Sequence, residues 1–271
     1  MTWLGRRFGF GADKPLVVGA RLEGVIGRLG NPNGLNLARV EAVLSKAFRT
    51  KRAKAVALFI NSPGGSPAQS GLIFRRIRRL AEKHEKPVFT FVEDVAASGG
   101  YWLALAGDRV VACPESLVGS IGVISASFGF VEAIGKLGIE RRVYTTGEHK
   151  SLLDPFRPEQ PGDIAVLREI QDDLFDQFKT VVRERRGAAL AEDDGLFSGR
   201  VWTGKQALAQ GLVDEVSDPY AFLRQKFGDE VRVKFIPLQR SWFRLSRFTG
   251  NDWATLAAMV DERHHAQRFG L

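Results

Sequence analysis

Short apolar runs alternate along this chain with longer stretches in which apolar residues recur every three or four positions, and that alternation restricts it to βαβ architecture. Leu16 to Ile26 is strand-like, whereas Leu37, Val40, Val43, Leu44, Ala47 and Phe48 fall at helical spacing. Ala55 to Ile60 is a continuous apolar run of the kind that forms a strand buried on both faces. Ser66 to His84 returns to helical intervals through Leu72, Ile73, Ile77 and Leu80, and Val88 to Val92 and Asp108 to Ala112 read as further strands. Strands separated by helices imply right-handed crossovers. The expected class is α/β, a mostly parallel sheet with flanking helices.

In open sheets of this kind ligands gather at the carboxyl ends of the strands. Two turns there carry unusual chemistry. Asn61-Ser62-Pro63-Gly64-Gly65 follows the second strand; proline fixes one backbone angle and the glycines allow positive ones, so N–H groups can point outward together. Ala96-Ala97-Ser98-Gly99-Gly100 links the third strand to the helix-like run Tyr101 to Ala106 and sets Ser98 at a strand-to-helix turn. The first free N–H groups of a helix favour developing negative charge, so Ser98 can be a nucleophile there. The ordinary role of a serine at this position is a helix cap. A GxSxG elbow is absent, because Ala96 stands at its first glycine position.

The chain has 271 residues, 44% of them hydrophobic, enough for a sizeable core. Its formal charge of +8 comes from 39 basic residues scattered among 31 acids, a dispersed pattern that does not predict nucleic-acid binding. Cys113 is the one cysteine and lies in an apolar run, where a buried thiol is expected. The longest uncharged run, Ser116 to Val131, is broken by Gly and Ser; it reads as core rather than as a bilayer span, which needs about 20 apolar residues. The N-terminus shows no apolar leader, so the expected location is cytoplasmic, with peripheral membrane contact left open.

A nucleophilic serine needs a base. His84 ends a charged helix, His149 sits beside Lys150, and His264 and His265 lie in a polar tail, none with an orienting carboxylate in view. Lysine can serve if burial keeps it neutral. Lys150 is a candidate, in a loop after the strand-like Ile139 to Tyr144, although a loop lysine is ordinarily a solvated charge.

The Ile60 to Gly65 turn, the Val95 to Ala104 segment, Gly119 to Val123 and Gly147 to Pro158 together resemble the signal peptide peptidase A family, over roughly Leu16 to Val216. That resemblance implies the Clp protease/crotonase-like fold and a serine peptidase with a Ser-Lys dyad, acting on signal peptides or other hydrophobic peptides. It implies Ser98 as nucleophile, Lys150 as general base, Ser120 as the hydroxyl that holds the lysine amine, and the N–H groups of Gly65 and Gly99 as oxyanion hole. Neither cofactor nor metal is implied, and the expected assembly is a homo-oligomeric ring. An acyl-CoA enzyme of the crotonase type would not need Ser98 and Lys150 together, which keeps the two readings separable.

The expected organisation is an N-terminal extension over 1–15, a peptidase domain over 16–216 and a C-terminal extension over 217–271 that packs on the body or on a neighbouring subunit. Gly162 to Arg186 reads as a long helix that packs in the core or between subunits rather than as a substrate clamp. Thr203 reads as a helix cap and Gly211 as a helix stop. The run Arg240 to Phe248 interleaves arginines with aromatics and suits either an anionic membrane surface or packing against protein.

Overall fold

A computed structural model describes residues 14–27, 34–193 and 195–238; residues 1–13 and the Arg240 to Phe248 run lie outside that set. Five parallel strands make the body of one sheet: β1 (Leu16–Glu23), β2 (Ala53–Ser62), β3 (Val88–Ala97), β4 (Arg109–Ala112) and β5 (Leu117–Gly119). Helix α1 (Leu37–Arg49) joins β1 to β2, and α2 (Pro67–His84) joins β2 to β3. Both begin with a capping side chain, Asn36 and Ser66, that accepts from the backbone N–H three residues on, at Arg39 and Gln69. The α/β class and mostly parallel sheet therefore form as the periodicity requires.

The continuous apolar run in β2 has a direct explanation. Val56, Leu58 and Ile60 point into a core covered by α1 and α2, while Ala55, Ala57 and Phe59 point into a second core on the opposite face. Phe222 and Leu223 of α7 (Pro219–Phe227) close that second core, and β8 (Arg232–Phe235) pairs in parallel with β1 at the sheet edge. The chain after residue 216 thus continues into the same sheet.

Strand β3 is longer than its apolar run suggests, and the sheet forks along it. Its first half, Phe89 to Val92, pairs with β4, and its last three residues, Val95 to Ala97, pair with β5. β5 in turn takes the antiparallel β6 (Val201–Thr203), and the short β7 (Glu215–Val216) lies beside β4. Thr203 then caps α6 (Gly204–Ala209) with a reciprocal bond to Gln206, and Gly211 adopts φ 72° just beyond that helix.

Two expectations fail between β5 and the long helix α5 (Pro161–Arg186). Ser116 to Val131 is core only at its start: Val118 and Ile121 are buried, but Ile124 and Phe128 are 78% and 76% exposed. Ile139 to Tyr144 forms no strand, and no backbone among the described residues pairs with it. Around the short α4 (Val131–Lys136), which buries none of its residues, Leu137, Ile139, Val143 and Tyr144 are all exposed. Among the described residues this arm concentrates the large apolar groups left in water.

Candidate active site

The fork in the sheet builds the site. Ala97 at the end of β3 pairs with Gly119 at the end of β5, so Ser98 and Ser120 are the next residues on neighbouring parallel strands, with backbones about 5 Å apart. Ser98 N–H donates to Gly119 O at 2.8 Å, and Ser120 N–H donates to Arg200 O at 2.7 Å. Both serines have φ of 52°, a left-handed conformation that costs a residue with a Cβ about 1–3 kcal/mol. Gly119 cannot carry a side chain, since a Cβ there would lie 2.7 Å from the Trp202 ring.

Ser98 stands at the N-cap of α3 (Gly99–Ala104), yet its hydroxyl makes no capping bond. The ordinary role of such a serine is therefore not the one it performs. Its carbonyl accepts from Tyr101 and Trp102 N–H, which fixes the first turn of α3 beneath it. Tyr101 anchors that turn from below: it is fully buried, donates to Leu212 O at 2.7 Å, and burial pushes its phenol up, so the proton stays in place.

The glycine turn after β2 closes against Ser98. A Cβ on Gly64 would lie 2.8 Å from Ser98 Cβ and 2.9 Å from Gly99 N, and one on Gly99 would come within 3.4 Å of Gly65 N while striking Ser70 Oγ. Glycine at these positions lets the two turns touch. Gly99 N–H belongs to the first helical residue and has no intrahelical acceptor, and no acceptor among the described residues takes Gly65 N–H. The two donors stand close together at the Ser98 turn, with no protein acceptor among the described residues.

A cleft of about 630 Å³ opens over these groups, with Gly65, Ser98 and Ser120 in its lining. Gln171, Asp172 and Phe175 of α5 form part of its wall, which the periodicity of that helix did not announce. Only Phe178, Val182 and Asp163 of α5 are buried, so the helix divides its length between packing and lining the cleft. The signal available in the sequence was the polar pair Gln171-Asp172 followed by Phe175 on one helical face.

Lys150 does not line this cleft. It occupies an exposed turn after the apolar arm, and its amine makes no ion pair or hydrogen bond among the described residues. That turn rests on Asp163 at the start of α5, whereas the cleft meets α5 at Asp172 and Phe175, about 13–18 Å farther along the axis. Gly65, Ser98, Gly99 and Ser120 are thus brought together within the chain, and Lys150 is not among the residues that line their cleft. No cluster of three or more metal-ligating side chains occurs among the described residues.

Residues 80–226 match the family model for peptidase family S49. The chain belongs to that family, the signal peptide peptidase A family. It is 33% identical over 224 residues to the chloroplastic serine protease SPPA of Arabidopsis thaliana, covering 80% of this chain and 33% of that one. It is 30% identical over 211 residues to a putative signal peptide peptidase SppA of Enterococcus faecium, covering 76% and 61%. A Brucella melitensis protein named Na(+)/H(+) antiporter NhaA is 55% identical over 206 residues, 76% of this chain but 28% of its own length. The chain thus spans from about a quarter to three-fifths of these relatives. The solved structure of the 1510-N membrane-bound stomatin-specific protease has the same fold, with a TM-score of 0.50 at 16% identity over 85% of this chain and all of that one.

Proposed function

We propose that this member of family S49 is a serine endopeptidase that cleaves hydrophobic peptides, leftover signal peptides among them, with Ser98 as nucleophile and Lys150 as base. The observation that carries the reading is a serine at a helix N-cap whose hydroxyl does no capping and at whose turn two backbone N–H groups stand close together, with no protein acceptor among the described residues. Ser98 Oγ attacks the scissile carbonyl as neutral Lys150 takes its proton; the oxyanion is held by Gly65 and Gly99 N–H. The tetrahedral adduct collapses, the C–N bond breaks, and the lysine returns the proton to the leaving amine. Water deprotonated by the same lysine then releases the acyl group from Ser98, with Ser120 holding the amine in line.

The lysine must reach Ser98 through assembly. A lysine base acts in its neutral form, which a dry site favours, and the turn around Lys150 is exposed within one subunit. The exposed arm from Ile124 to Tyr144, rich in large apolar groups, supplies a surface that a neighbouring copy would cover. Closed homo-oligomers that cover it would desolvate Lys150 and bring it to a cleft. Replacing Phe128 and Leu137 together by Ser is then expected to yield smaller particles by light scattering and lose most of the activity; full activity in separated subunits refutes the assembly step.

Among the described residues no helix is long and apolar enough to cross a membrane. Hydrolysis of apolar fluorogenic peptides by wild type, Ser98→Ala and Lys150→Ala tests the chemistry. Cleavage should vanish in both variants. Cleavage that survives Ser98→Ala removes the proposed nucleophile, and cleavage that survives Lys150→Ala removes the proposed base.

A further inference from the structure

We infer that Asp163 and Arg157 are positioning residues for Lys150, an inference that rests on the reading of Lys150 as the base. The segment that carries the lysine has almost no regular structure of its own. It is a chain of single turns, in which Lys150 N–H donates to Gly147 O, Leu152 to His149, Asp154 to Ser151 and Arg157 to Asp154, each at 3.2 Å. Isolated turns of this kind do not hold a shape unaided.

What holds them is a pair of buried carboxylates. Asp163, 6% exposed and in the first turn of α5, accepts at one oxygen from Arg157 Nη2 at 2.6 Å and from Leu153 N–H at 3.2 Å. A helix N-terminus favours a carboxylate at this position. The same Arg157 Nη2 donates at 2.8 Å to the carbonyl of Ser151, the residue next to Lys150. Leu153 is pinned at φ 54°, a left-handed conformation that its bond to Asp163 helps to offset. On the other side Asp154, also 6% exposed, accepts from Arg141 Nη2 at 3.0 Å and from Phe156 N–H at 3.1 Å.

The consequence is mechanical. Within one subunit the Lys150 side chain is exposed, so its place there is set by its backbone, which Arg157 grips one residue away. Asp163 ties the grip to the helix whose Asp172 and Phe175 line the cleft. Lysine turn and cleft wall are thus fixed to one rod. Loss of the Asp163 charge would let the lysine wander without disturbing Ser98, Gly65 or Gly99, and a misplacement of about 1 Å can lower a rate by about a hundredfold.

The test uses the full, assembled protein and the peptide assay, with Asp163→Asn, Asp163→Glu, Arg157→Ala and Lys150→Ala. Asp163→Asn and Arg157→Ala are expected to lower kcat between about tenfold and a hundredfold at unchanged KM, in particles of wild-type size, with the lower melting temperature that loss of a buried pair brings. Asp163→Glu, which keeps the charge, is expected to recover most of the lost kcat. Wild-type kcat in Asp163→Asn overturns the inference. So does a loss that Asp163→Glu fails to recover, or one accompanied by a raised KM or smaller particles, since those mark a merely structural pair. Full activity in Lys150→Ala overturns the base assignment itself, and this inference with it.

Discussion

Ser98→Gly is expected to abolish cleavage and to make the protein more stable. The magnitude follows from the backbone. At φ 52° and ψ −125° a residue with a Cβ sits in a sparsely populated region, at a cost of about 1–3 kcal/mol that glycine does not incur. Against this, glycine widens the unfolded ensemble and gives back about 0.5–1 kcal/mol. The net gain should be about 1 kcal/mol. Ser98→Ala is the control: it keeps the Cβ, and with it the strain, and removes only a hydroxyl that makes no capping bond, so its stability should stay within about 0.5 kcal/mol of wild type. Thermal melts at one fixed protein concentration, needed because assembly adds to apparent stability, should place Ser98→Gly about 2–4 °C above Ser98→Ala. If Ser98→Gly melts at or below Ser98→Ala, the turn is not strained and the account of how the hydroxyl is presented fails.

Gly64→Ala should do the reverse: at φ 103°, with a methyl set 2.8 Å from Ser98 Cβ and Ala97 O, it is expected to lose about 2–4 kcal/mol in denaturant titrations and to lose activity with it. Among the described residues Asp172 is the one charged side chain lining the cleft, in a chain of net charge +8, so paired peptides carrying Arg or its neutral isostere citrulline should differ about two- to fivefold in kcat/KM in favour of Arg. Asp172→Asn should erase that preference and Asp172→Lys reverse it; an unchanged preference in both refutes the role. Bonding to the Arg76 guanidinium holds the Glu41 carboxyl below its ordinary 4.5, so its contribution is present above that value and disappears as pH falls through the lower folded value. The pair is partly solvated, so Glu41→Gln should cost under about 1 kcal/mol at neutral pH, with the difference from wild type shrinking as pH falls below 4.5 in pH-dependent melts.

The parts of this protein that a sequence reader can reach are those whose cause lies within a few residues. A continuous run such as Ala55 to Ile60 can only be a strand covered on both faces, and it is. Ser98 is legible because its turn needs Gly64 and Gly99 to come close, and glycines written side by side announce such contacts. Where the cause is distant, the same rules mislead. Ile139 to Tyr144 has the composition of a strand but no edge to pair with among the described residues, and Ile124 and Phe128 have the composition of core but no second layer among them. Hydropathy registers the need for burial without saying what does the burying, and a core run and an interface run are written alike. The pairs that hold the Lys150 turn are hidden for a related reason. Arg157 and Asp163 stand six residues apart across the entry into a helix, a spacing with no period, and only the fold makes neighbours of them. The arm that reads as core and the lysine that reads as a solvated loop charge adjoin in the chain, and both anomalies have one physical remedy, a surface that covers the arm and dries the amine at the same time.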